Sequence, residues 1–157
     1  MMTDEEYMRI ALAQAERAFD CDETPVGAVL AMGGRIIAES HNAPIALGDP
    51  SAHAEMRAIR EACLVAGNYR LTGAELYVTL EPCPMCAGAI LQARISRVVF
   101  GARDPKSGAV FSLYRLLSDE RLNHQVEITE GILQIECGEI LSRFFKQKRV
   151  RAGSVRG

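Results

Sequence analysis

The chain has 157 residues, 48% of them hydrophobic, and its 18 basic and 20 acidic side chains leave a net charge of −2. These values exclude a disordered or fibrous chain and fit one globular domain, which at this length buries roughly 70% of its unfolded surface. The acidic opening lacks a secretory h-region, no apolar run nears the ~20 residues that cross a bilayer, and five cysteines, an odd number, point to a reducing cytoplasm.

Thr3 with Glu6 forms a capping-box pattern, predicting a helix through about Phe19 whose core side carries Met8, Leu12, Ala15 and Phe19. Val26–Met32 and Arg35–Ser40 flank Gly33-Gly34, the signature of a two-residue hairpin. A loop follows from His41 to Pro50. Ser51–Ala66, stopped by Gly67, reads as a helix with Met56, Ile59 and Cys63 at core spacing. A β-rich run, Glu75–Leu80, precedes an apolar helix over 84–94 with Pro84 at its first position. The remaining elements are a strand at 97–101, a short helix at Leu113–Leu117, a strand at Val126–Glu130 and a closing helix at Leu133–Lys148. This alternation predicts a mixed sheet, parallel in its later part, with helices on both faces. A single domain over 1–152 is expected, with 153–157 as a flexible tail.

Charge is unevenly distributed. Arg143, Lys146, Lys148, Arg149, Arg151 and Arg156 lie beyond residue 142 with no acidic neighbour, against 12 basic and 20 acidic side chains before it, a balance of −8. A basic end on an acidic body suits a polyanion; a plainly solvated helix end has the same composition.

Cys83 and Cys86 fall at the N-cap and first turn of the predicted helix, where exposed N–H groups and the dipole favour thiolates. Alone, Cys-x-x-Cys is equally half a zinc site, a redox pair or two packed cysteines. The matching half is His53-Ala54-Glu55, and together the pieces make the H-x-E…P-C-x-x-C pattern of zinc nucleobase deaminases. Residues i and i+2 point about 200° apart around a helix, so His53 and Glu55 serve one site only at a helix tip. Two helix N-termini are therefore expected to meet at one ion. His41, His124, Cys21, Cys63 and Cys137 are the other conceivable ligands. Cys63 and Cys137 sit on apolar stripes, Cys21 and His124 in loops, so an open site with a free fourth position is expected.

Further blocks narrow the likeness. Tyr77-Val78-Thr79-Leu80-Glu81-Pro82-Cys83, Cys86-Ala87-Gly88-Ala89, Arg97-Val98-Val99-Phe100-Gly101-Ala102-Arg103-Asp104 and Asn123-His124 leading into Val126–Gly131 resemble the bacterial tRNA-specific adenosine deaminases, from about Glu6 to Arg149. The resemblance implies a three-layer α/β/α sandwich with a mixed five-stranded sheet of the cytidine-deaminase type, one zinc per subunit held by His53, Cys83 and Cys86, and a homodimer without membrane contact. It implies adenosine-to-inosine hydrolysis at the wobble position of a tRNA anticodon loop, by a zinc-activated hydroxide with Glu55 as proton shuttle.

Asn42 is either a turn residue or, as the family implies, a contact to the target nucleoside. The backbone N–H of Ala54 lies where it could steady the substrate. Asp104 and Lys106 match family positions near RNA; structurally they would only make a turn. In Phe144-Phe145, one ring belongs to the core, and Phe145 is the candidate for stacking on a base. The rivals are a free guanine or cytosine deaminase, disfavoured by the basic C-terminus, and a zinc module that binds RNA without turnover.

Overall fold

The computed structural model describes residues 1–156. In chain order the elements are α1 (Asp4–Asp20), β1 (Gly27–Met32), β2 (Arg35–His41), α2 (Pro44–Leu47), α3 (Ala54–Ala66), β3 (Glu75–Leu80), α4 (Pro84–Gln92), β4 (Arg97–Ala102), β5 (Glu127–Glu130) and α5 (Gln134–Arg156). The five strands form one sheet in the order β2-β1-β3-β4-β5. β1 runs antiparallel to β2 and β3, whereas β3, β4 and β5 run parallel. The mixed sheet with a parallel later half is as the alternation predicts.

The strands alternate between two cores. Leu30, Leu76, Val78, Val98 and Phe100 face α3 and α4, while Val29, Tyr77 and Val99 face α1 and α5. The α3 side packs through Ala54, Ala58, Ile59 and Ala62. Met56 and Cys63, expected in the core, are only half-buried, because an alanine-lined stripe lets the helix backbone sit close to the sheet and turns its larger residues outward. α1 is rotated in the same sense: Tyr7, Met8, Ala11, Ala15 and Ala18 are buried, and Leu12 and Phe19 lie at the margin.

The start of α1 carries the expected reciprocal cap, with Glu6 N–H donating to Thr3 Oγ1 at 3.2 Å and Thr3 N–H to the Glu6 carboxylate at 2.9 Å. Gly33 and Gly34 turn the β1–β2 hairpin with φ of 58° and 76°, the left-handed pair that a tight hairpin requires. Inside the α1 face, Arg97 binds Asp4 at 2.6 Å, Glu75 at 2.8 Å and Thr129 at 2.9 Å, so one guanidinium joins α1, β3, β4 and β5. The Tyr7 ring stacks on Tyr77 with centroids 4.6 Å apart, a pairing that contributes about 0.5–1.5 kcal/mol beyond its buried area.

Several assignments differ from expectation: the short helix α2 occupies part of the expected 41–50 loop, where Pro44 opens it and left-handed Gly48 ends it, and α4 stops at Gln92 instead of 94. α3 begins at Ala54 and not at Ser51, because residues 49–53 close a turn in which Asp49 accepts from the Ser51 N–H and hydroxyl. Leu113–Leu117 forms no helix; its amides bond to Gly108 and Ala109 of the same loop. α5 continues past Lys148 to Arg156, overlapping the expected tail, and Gly157 lies outside the described residues.

Candidate active site

Two helix tips meet beneath the C-terminal end of β3. His53 is the N-cap of α3 and Cys83 the N-cap of α4, each with extended backbone (φ −69° and −78°), and Pro84 opens α4 where its missing N–H costs nothing. Extended caps aim both side chains beyond the helix axes, toward each other. The His53 Nδ1 atom lies 3.6 Å from Cys83 Sγ and 3.5 Å from Cys86 Sγ.

This spacing tests the fit of a metal. Zinc lies about 2.3 Å from sulfur and 2.0–2.1 Å from nitrogen, so a tetrahedral angle separates the two ligand atoms by about 3.6 Å. The three ligand atoms fall within 4.8 Å of one another, and among the described residues no other His, Cys, Asp or Glu joins them. The donor set and distances fit zinc with its fourth corner open.

The other conceivable ligands are committed elsewhere. His41 bonds to the Asn42 carbonyl, and His124, in a loop as expected, is half-buried with Nε2 against the Ile95 carbonyl at 2.7 Å. Cys137 is buried under Gly101 and Cys21 is exposed at the end of α1.

Glu55 sits in the first turn of α3 and is only 4% exposed. Burial raises its carboxyl to about 7, so it holds or releases a proton near neutrality. Cys83 is held down to about 4, chiefly by the hydrogen bond from Cys86 against the opposing effect of burial. The shared proton and burial raise Cys86. His53 is raised, first by its bond to Cys83.

These groups open into a cavity of about 230 Å³ lined by Asn42, His53, Glu55, Cys83, Asp104 and Ser107, with Thr24, Val26, Leu80 and Glu81 completing it. Ala54 is buried at the α3 tip beside it. Lys106 and Phe145 are not in this cavity. They line a second one of about 550 Å³, formed with Arg103, Arg149 and α5, which shares Thr24, Leu80, Asp104 and Ser107 with the first. Phe144 is packed at 5% exposure against Phe19, and Phe145 is 45% exposed.

Two further buried carboxylates carry no role that sequence spacing assigns, Glu81 on the cavity wall and Glu23 next to Thr24. Glu23 accepts the Ile45 and Ala46 amides at 3.1 and 2.8 Å, tying α2 to the turn that follows α1. Glu81 accepts amides from the loop after β4. Burial alone would raise Glu81, but bonds from Phe111, Ser112 and Asp104 outweigh it and hold the carboxyl at about 2.

Residues 1–102 match the cytidine and deoxycytidylate deaminase zinc-binding region. Over 156 residues the chain is 50% identical to a tRNA-specific adenosine deaminase of Bacillus subtilis (strain 168), covering 99% of this chain and 97% of that protein. A solved structure from work on A-to-I editing by tRNA:A34 deaminases at the wobble position superposes with TM-score 0.84 at 50% identity, covering 86% of this chain and 98% of the other. A guanine deaminase from Bacillus subtilis matches at 43% identity and TM-score 0.63, over 65% and 66% of the two chains. With the five-stranded sheet and the two-tipped site already in view, the chain belongs to the cytidine and deoxycytidylate deaminase family of zinc enzymes, in its tRNA-specific adenosine deaminase branch.

Proposed function

We propose that this chain, as one domain over residues 1–152, converts adenosine to inosine in RNA by hydrolytic deamination, at the wobble position of a tRNA anticodon loop. The observation that carries the substrate class is the pairing of cavities. A volume of about 230 Å³ lies below the range of roughly 300–1,000 Å³ typical of whole small ligands and suits a single base. Its continuation into the larger basic and aromatic cavity gives the flanking nucleotides a place. Unstacked loop bases enter such a pocket at low energetic cost.

His53, Cys83 and Cys86 would hold one zinc per subunit, which when bound would supply the Lewis acidity that makes water a competent nucleophile near neutral pH. With water adding to C6, the Glu55 carboxylate would take its first proton and deliver it to the adjacent ring nitrogen, then carry the second from the new C6 hydroxyl to the amine, which leaves as ammonia as the C6–N bond breaks. Its buried position, with a carboxyl poised near 7, supports both halves of this transfer. Asn42 and the Ala54 N–H orient the base edge. Asp104 forms the wall shared by both cavities, Lys106 attracts phosphate, and Phe145 offers a ring for stacking.

The reading includes a homodimer in the reducing cytoplasm. α4 supports the first element: Cys86, Ala87 and Ile90 are buried and Ala89 and Leu91 pack against the core while staying partly accessible, and Met85 is exposed. All five cysteines are free, which supports the second. Among the described residues no helix is long and apolar enough to cross a membrane.

The test is inosine formation in bulk tRNA and in an anticodon stem-loop, with and without a zinc chelator, beside ammonia release from guanine and cytosine. Chelator-sensitive inosine in tRNA supports the reading. Equal or faster turnover of free guanine, which the similarity to a guanine deaminase makes the pertinent rival, would overturn it.

A further inference from the structure

The connection between β4 and β5, residues 103–126, contains no helix or strand, yet its first half forms one wall of the base cavity. A segment without regular structure must place its backbone amides on other partners. Here they converge on a single side chain. The N–H groups of Asp104, Val110, Phe111 and Ser112 donate to the Glu81 carboxylate at 2.9, 3.0, 2.8 and 2.9 Å, and the Ser112 hydroxyl adds a fifth donor. Ala109 N–H donates to the neighbouring Pro82 carbonyl at 2.8 Å. Gly108 lies directly on the carboxylate, and a Cβ there would overlap it.

The chemistry of the acceptor matters. An ionised carboxylate offers about four lone-pair sites on two oxygens and no donor. A glutamine in its place would keep one accepting oxygen and turn an NH₂ toward donors that need an acceptor. Five donors occupy both Glu81 oxygens, leaving the group poorly placed to move protons for substrate. Two residues further on, the same turn presents Cys83, and the Glu81 N–H is itself fixed to the Ala102 carbonyl at 2.8 Å.

We propose that Glu81 is a positioning residue for the deamination: its carboxylate fixes the 104–112 wall, with Asp104 and Ser107, against the turn that presents Cys83. The role rests on the deaminase reading above. Base orientation is set by how this wall stands relative to the ligand turn, and small misplacements at a reacting centre cost rate steeply.

The experiment compares wild type, Glu81→Gln, Asp104→Ala and the double variant, measuring zinc content, hydrogen exchange of the 104–112 amides, and kcat and KM on an anticodon stem-loop. Glu81→Gln should keep wild-type zinc, exchange these amides faster, and lose about 10-fold or more in kcat/KM. Asp104→Ala should cost much less in the Glu81→Gln background than alone, because one substitution has already displaced the other's group. Loss of zinc in step with activity, or penalties that simply multiply, would overturn the proposal. Should Glu81→Gln fail to fold, Ser112→Ala removes a single donor and must show the same faster exchange and the same non-additivity with Asp104→Ala. A wild-type chain that forms no inosine refutes the deaminase reading instead, and Glu81 is then judged on exchange and zinc content alone.

Discussion

Glu55 acquires its usefulness from where it stands. A first-turn glutamate on an open helix is an ordinary acid favoured by the dipole; this one lies under the rim of the cavity, 4% exposed, and burial carries it to about 7. Glu55→Ala is expected to lower single-turnover deamination by about 10²–10⁴-fold while a metal assay still finds wild-type zinc. His53→Ala should lose both, because only two of the three donors remain. A Glu55→Ala protein that retains turnover would reduce the site to a binding module. The ligands were legible in the sequence because two short motifs carry them at fixed spacing. Glu81 and Glu23 were not: their amide partners lie 23 to 31 residues away for Glu81 and 22 or 23 for Glu23, a separation that leaves no local pattern.

At the scale of elements, two contacts decide how the helices sit on the sheet. Arg97 gathers Asp4 at the start of α1 and Glu75 on β3. The bond from Arg97 is the main cause of the lowered Asp4 carboxyl, which burial opposes. A carboxyl lowered in the folded state stabilises above its unfolded value of 3.8 and loses that contribution as pH falls through its lower folded value. Asp4→Asn should therefore cost about 1 kcal/mol at neutral pH and flatten the urea midpoint's decline below pH ~4. On the same face of the sheet, α5 packs so closely on β4 that a Cβ on Gly101 would run into Cys137 and the Thr79 carbonyl. Gly101→Ala should destabilise by about 1–3 kcal/mol, read in the same urea titration, and weaken RNA binding more than zinc binding. Hydrophobic spacing disclosed that α1, α3 and α5 exist, but not their rotation. The alanine stripe of α3 and the glycine seat under α5 depend on how near two backbones come, which periodicity does not encode.

For the molecule as a whole, the basic end is neither free nor uniformly available. Arg143 pairs with Glu16, and Lys148 and Arg151 pair with Asp22, so part of the positive charge holds α5 against α1 and the turn that follows it. Exposed pairs of this kind contribute about 0–1 kcal/mol each; their effect is to orient Phe145, Lys148 and Arg149 along the larger cavity. If Arg149 meets a phosphate there, Arg149→Ala should flatten the slope of log K against log salt by about 0.7, measured by stem-loop binding across a salt series. An unchanged slope would move Arg149 off the RNA path.

The amide cluster on Glu81 divides the β4–β5 connection into unequal parts. Residues 104–117 are pinned, first on Glu81, then through the Leu113, Tyr114 and Leu116 amides on Gly108 and Ala109 and by buried Leu117, whereas 118–123 follow an outer course past exposed Leu122. Extra residues spliced into the outer course should pass with folding and turnover intact. One extra residue within the pinned course should abolish activity, because it would shift every later donor off its acceptor. A lineage exploring longer substrates thus has one stretch here that it can lengthen freely, and its neighbour, a few residues upstream, that it cannot.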